Sequence, residues 1–217
     1  MKKIVILAFV LMSLFGCEKE NITDNSDFIE TFELVTNACK TSFEQSTICL
    51  DTILSDSRCA TGTVCKWEGN ATIELDLTTH DDGNYKVVLN TNPGYPIDTI
   101  IGNIYILLTD LTPYPEIGTV IYPNDYTAKL KIANIGKLKS NAKVIDFNAD
   151  KCGCCWGWSI QIGNDTIKCD NEKIGKSIGY SIDYPVAVYV ELGDLEQNCS
   201  EFGGYDYYKL NQIIKVE

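Results

Sequence analysis

The chain has 217 residues with a formal net charge of −12, from 30 acidic against 18 basic side chains, and ten cysteines. So acidic a body lacks the basic stripe that neutralises phosphates, which argues against nucleic-acid binding. His80 is the single histidine and Arg58 the single arginine, so a serine or cysteine nucleophile needing an imidazole base would have to use His80.

The N-terminus opens with Met1-Lys2-Lys3, followed by an apolar run from Ile4 to Phe15 broken only by Ser13. That run is shorter than the about 20 apolar residues of a permanent membrane helix and reads as a signal-peptide segment. It stops at Leu14-Phe15-Gly16-Cys17, which resembles the lipobox of bacterial lipoproteins. The resemblance implies removal of residues 1–16 and acylation of Cys17 with palmitate-type chains. Several chains on one residue anchor stably in a lipid bilayer, whereas a single chain binds marginally. Residues 17–27 form a polar, acidic tether, similar to the surface-export signal of Bacteroidetes-type lipoproteins. That similarity implies an outer-membrane or cell-surface location outside the cytoplasm. The signal segment holds two lysines and no acid, so the remainder carries −14 and is repelled by anionic headgroups; anchorage falls to the lipid.

Period-two alternation dominates the rest, and it predicts an all-β fold. The first unit, residues 28–134, is expected to be a β-sandwich or barrel. Its strands are Thr47 to Leu54, Ala71 to Leu77, Tyr85 to Leu89, a region from Ile97 to Leu108 broken at Gly102-Asn103, and Tyr126 to Ile132. Asp82-Gly83 marks a hairpin turn, which makes His80 a solvated turn residue. The stretch from Asn134 to Asn141 reads as a boundary. A smaller β-rich unit follows at 142–217, with strands Trp156 to Ile162 and Asp165 to Cys169 around a Gly163-Asn164 turn, then Val186 to Leu192 and Tyr207 to Val216. Its roughly 75 residues are few for an independent core, so it is expected to pack on the first unit or be stapled by cysteines.

Between Asp56 and Ala71 the chain reads Asp56-Ser57-Arg58-Cys59-Ala60, then Cys65-Lys66-Trp67-Glu68-Gly69-Asn70-Ala71. This resembles an uncharacterised group of exported bacterial β domains marked by Asp-Ser-Arg-Cys-Pro and Cys-x-Trp-x-Gly-x-Ala. Ala60 stands where that pattern has proline, and the resemblance spans roughly Ser46 to Ile132. It implies a fold and no activity or ligand.

Nine cysteines remain after Cys17. In an exported protein they are read first as disulfides. Cys59 with Cys65 is a natural local bridge, and Cys39 with Cys49 follows by subtraction. In Cys152-Gly153-Cys154-Cys155-Trp156, a strand would put Cys152 and Cys154 on one face and Cys155 on the other. Cys199 is then the expected partner for Cys154 or Cys155, with Cys152 in a further bridge and Cys169 left over. The alternative is a thiolate site for zinc or cuprous copper built from Cys152, Cys154, Cys155 and Cys199 or Cys169.

These features predict a membrane-anchored, non-enzymatic binding or structural module for a protein or small-molecule partner. Metal binding at the cysteine cluster is the second hypothesis, and a hydrolase using paired acids such as Asp183 with Glu191 the third. Asp81-Asp82 and Asn124-Asp125 read as turn chemistry rather than calcium ligands. Tyr205 to Tyr208 is the densest aromatic cluster.

Overall fold

A computed structural model describes residues 25–80, 83–150, 152–169, 171–179 and 183–216. The lipobox, Cys17, most of the tether and the Asp81-Asp82 pair lie outside the described residues. The elements are β1 (Ile29–Val35), β2 (Cys39–Thr41), β3 (Thr47–Asp56), β4 (Ala71–Thr78), β5 (Asn84–Asn90), β6 (Asp98–Ile101), β7 (Ile104–Thr112) and β8 (Thr127–Asn134). After them come β9 (Ala142–Asn148), β10 (Gly157–Ile162), β11 (Asp165–Cys169), α1 (Asn171–Ile178), β12 (Val186–Gln197) and β13 (Tyr207–Lys215).

The first eight strands form two four-stranded antiparallel sheets, β1-β8-β7-β6 and β2-β3-β4-β5. Alternation drives them together. Ala71, Ile73, Leu75 and Leu77 all point inward from β4, and Ala128, Leu130 and Ile132 do so from β8; all are buried in one shared core with Ile48, Leu50, Leu89 and Ile106. Burying each Leu or Ile contributes about 1.5–3 kcal/mol, so this core dominates the favourable side of folding. The outer face of the second sheet is charged instead: Lys86 on β5 bridges Asp51 on β3 and Glu74 and Asp76 on β4 at 2.7–3.0 Å. β6 and β7 close at Ile101↔Ile104 around Gly102-Asn103, where Gly102 takes φ +57°.

The last five strands close into a barrel in the order β10-β11-β13-β12-β9, with β11 and β13 parallel and the other pairs antiparallel. In chain order this is a closed 1-2-3-5-4 barrel with a helix between its third and fourth strands. Val144, Trp158, Ile160, Val188, Val190, Leu210 and Ile213 fill it, and Ile174 with Ile178, one helical turn apart on α1, pack into the same core. The β10–β11 hairpin turns at Gly163-Asn164 with Ile162 opposite Asp165 and Ser159 opposite Lys168.

One strand expectation is corrected. Residues 153–155 form a turn, and β10 begins only at Gly157, whose φ of +97° separates the cysteine turn from the strand. The face assignments for Cys152 to Trp156 therefore do not hold.

The barrel packs on the outer face of the first sheet. Residues 105, 107 and 133 alternate with core residues 104, 106 and 132, so they point away from the sandwich. Tyr105 and Ala133 are buried there with Leu138, Ile214 and Val216, and Phe28, Ile29, Leu107, Ile135 and Tyr189 pack around them. Asn25 exchanges two side-chain hydrogen bonds of 3.0 Å with the Lys139 backbone, so the end of the tether is fixed to the segment linking β8 to β9.

Candidate binding cleft and stapled loops

A cleft of about 510 Å³ opens where the loop before β6, the edge strand β6 and the outward face of β7 meet α1 and β13. This lies within the size range of small-molecule sites. Tyr95, Ile97, Ile100 and Leu107 give it apolar walls, and Lys173, Lys176 and Lys215 line the barrel side. Alternation on β7 puts Tyr105 in the cleft, and its hydroxyl donates to Asp98 Oδ2 at 2.8 Å. Burial, then the Asp98 charge, push the Tyr105 phenol well above its ordinary pKa, while the neighbouring Gln212 amide acts the opposite way. Tyr105 is thereby kept protonated, as a donor. Gln212 contributes to the lining at 3% exposure. Its Oε1 and Nε2 are both sealed from solvent, and its amide faces the Tyr105 hydroxyl.

Among the described residues the cysteines form four bridges: Cys39–Cys49, Cys59–Cys65, Cys152–Cys155 and Cys154–Cys199. Cys39 and Cys49 are direct cross-strand partners on β2 and β3. Cys154–Cys199 ties the β9–β10 loop to the β12–β13 loop. The approach is close: a Cβ on Gly204 would meet Cys154 O at 2.8 Å. Exposed aromatics lie on the two stapled loops and the adjoining end of β9, namely Trp156, Phe202, Tyr205 and Phe147. Phe147 lies edge-on to Trp156 at 6.2 Å, and the Tyr207 hydroxyl donates to the Trp156 carbonyl.

Cys152, Cys154, Cys155 and Cys199 are paired in two disulfides, an arrangement different from the thiolate set of the zinc or copper alternative. Cys169, outside the four bridges, is buried in the barrel core. Among the described residues no cluster of His, Cys, Asp and Glu suits a metal ion.

The other candidates resolve into structural roles. His80 is exposed beside a turn closed by Thr79 N–H to Gly83 O at 2.9 Å. Glu191 accepts from Tyr189 at 2.9 Å and from Lys131, so its carboxylate is already engaged, and Asp183 is exposed ahead of β12. Asp125 caps its own turn by accepting from Tyr122 N–H. Arg58 is the centre of a buried knot. It pairs with Asp56 at 2.7 Å, donates to the carbonyls of Leu111 and Pro113, and stacks on Tyr114. Lys168, at 2% exposure, donates to Gly157 O at 2.8 Å; burial lowers its pKa and Asp146 opposes the shift.

Sequence reasoning did not identify the cleft. Tyr105 and Gln212 read as ordinary strand residues, 107 positions apart in the chain. The available signal was polar Gln212 inside the apolar run Leu210 to Val216. Comparisons with protein families, with curated proteins and with solved structures found no match.

Proposed function

We propose that the protein is an exported lipoprotein, acylated on Cys17 and held at the outer membrane or cell surface, that works by binding rather than by catalysis. The cleft between sandwich and barrel is its recognition site. The carrying observation is the cleft itself: about 510 Å³, with apolar walls from Tyr95, Ile97, Ile100 and Leu107 and three lysines among its lining residues. Fold alone does not decide function, so the reading rests on this site. Four disulfides support an oxidising compartment outside the cytosol.

The test has two arms on the full chain expressed in its own host. Fed with labelled palmitate, the protein incorporates label and stays with membranes, whereas a Cys17→Ser variant does neither. Native mass spectrometry of the detergent-extracted protein finds a small molecule retained by the parent and reduced in an Ile100→Glu variant of the cleft wall. A protein without label that fractionates with the cytosol refutes the anchor. A retained molecule unaffected by Ile100→Glu refutes the cleft.

A further inference from the structure

We propose that the end of the sandwich formed by the β3–β4 and β7–β8 loops docks a basic, apolar segment of a partner polypeptide, seating one lysine or arginine side chain in a recess lined by Glu68 and Asp110. This surface shares no lining residue with the cleft, so either reading can fail without the other.

The two loops, residues 57–70 and 113–126, are fastened to each other. Thr61 N–H donates to Pro115 O at 2.8 Å, and Thr61 pairs in parallel with Glu116. Arg58 reaches across to the carbonyls of Leu111 and Pro113, and Cys59–Cys65 staples the first loop. On this base a set of apolar tips stands in water: Val64, Trp67, Ile117, Val120 and Tyr122 are all exposed, Trp67 and Val120 at 71% each. Scattered exposed hydrophobics are ordinary, but five on two joined loops are the kind of concentration that marks an interaction surface. Loops already fixed by a disulfide and by backbone pairing lose little freedom on docking.

Charge selects the occupant. The cations of the two loops are Arg58 and Lys66, and both are engaged: Arg58 with Asp56 at 2.7 Å, and Lys66 with its ammonium 4.7 Å from the centre of the Trp67 ring. The acids Glu68, Glu116 and Asp110 face water. Glu68 and Asp110 line a recess of about 210 Å³ with Tyr114, Asn92 and the neutralised Arg58. That volume falls below the about 300 Å³ at which small-molecule sites begin and suits one long side chain. A lysine or arginine there offers its charge to the two carboxylates and its apolar stem to the Tyr114 ring. The same acids repel an anionic bilayer, and two copies joined at this end would set like charges against each other. A basic segment with apolar neighbours satisfies both the recess and the tips.

Biolayer interferometry on the full chain, captured by a C-terminal affinity tag, tests this with defined probes. The complete probe is a short acetylated peptide of alternating lysine and leucine. Its partial counterparts replace lysine by glutamate, or leucine by serine. Phosphatidylglycerol vesicles and the full chain itself, offered as a second copy, represent the other occupants. The lysine–leucine peptide is expected to bind at least about tenfold tighter than either partial peptide, a difference of about 1.4 kcal/mol. Trp67→Gln with Val120→Asn removes two apolar tips at unchanged charge and is expected to weaken that peptide by about tenfold. Both side chains are exposed, so Tm is expected to hold. Glu68→Gln with Asp110→Asn is expected to weaken the same peptide and to flatten its salt dependence.

Undiminished binding to the Trp67→Gln, Val120→Asn variant would show diffuse attraction to an acidic chain and overturn the docking surface. A partial peptide that binds as tightly as the complete one overturns the partner's chemistry. Preference for the vesicles or for a second copy over every peptide overturns the polypeptide partner and identifies the occupant as lipid or as this chain. Absence of binding by all the probes overturns the inference outright.

Discussion

Lys131 on β8 and Glu191 on β12 form an ion pair that joins the sandwich to the barrel, with their side chains only 16% and 30% exposed. The pair sits at the margin of the apolar junction formed around Tyr105 and Ile214, and Tyr189 donates a second hydrogen bond to the same carboxylate. Burial and the Glu191 charge push the Tyr189 phenol up, which keeps it a donor. Polar and apolar contacts therefore hold one orientation of the two units and keep the cleft open between them.

Breaking this pair is expected to cost about 1–2 kcal/mol, more than an exposed pair and less than a fully buried one. Lys131→Met and Glu191→Gln each lower the urea midpoint, and the double variant loses less than the sum. Strict additivity in that cycle would show that the two side chains do not interact across the junction.

Arg58→Met is expected to cost about 3–5 kcal/mol, because it leaves Asp56 buried without its cation. Arg58→Lys fares little better, since lysine cannot reproduce a fork that serves Asp56 and two carbonyls at once. The same knot sets an acid limit. Burial alone would raise the Asp56 carboxyl, but hydrogen bonds and charge from Arg58 outweigh it and hold the group below its ordinary value. Its folded pKa lies below its unfolded one. The stabilisation is therefore present above about pH 4 and is lost as pH falls through the folded value. Acid unfolding followed by tryptophan fluorescence should show Arg58→Met losing this dependence below about pH 4.

Gly69→Ala is expected to be strongly destabilising for a steric reason. Gly69 has φ +74°, and an added Cβ would lie 1.9 Å from the Ser57 carbonyl oxygen. The loop stapled by Cys59–Cys65 closes there, with Ser57 N–H donating to Asn70 O at 2.7 Å. The left-handed backbone alone costs about 1–2 kcal/mol for a non-glycine residue, and the clash adds to it. A thermal melt within a degree of the parent would refute the geometry.

Among the disulfides, Cys154–Cys199 spans the longest sequence separation, 45 residues. Constraint of the unfolded chain is worth about 4 kcal/mol at that loop length, against about 2 for the Cys59–Cys65 separation of 6. Paired Cys→Ser variants should rank in that order in denaturant melts. Native protein is expected to resist maleimide at Cys169 and to react there only once the barrel is unfolded.

Much of the fold was legible because strand alternation and turn chemistry are local. Ala71 to Leu77 and the Gly163-Asn164 hairpin needed nothing from the rest of the chain. β1 and β9 passed unnoticed although Phe32 with Leu34 and Ala142 with Val144 alternate, because charged neighbours diluted each run to two inward positions. Helix α1 escaped because Ile174 and Ile178 form one short apolar stripe interrupted by Gly175, a poor helix former. The extended reading of Cys152 to Trp156 failed because the Cys152–Cys155 bridge and the positive φ of Gly157 are tertiary and backbone features that no periodicity reveals. The cleft was illegible for the same reason. It exists only because β13 of the barrel is laid against the outer face of β7, a docking that alternation permits and does not specify.

The most direct measurement of the central claim is the intact mass of the protein extracted from its own membranes, before and after reduction. An exported, lipid-anchored, disulfide-locked body predicts a chain beginning at Cys17, heavier by its acyl groups, that gains eight hydrogens when its four bridges are reduced. An unprocessed chain beginning at Met1, without acyl mass and unchanged by reductant, would contradict it.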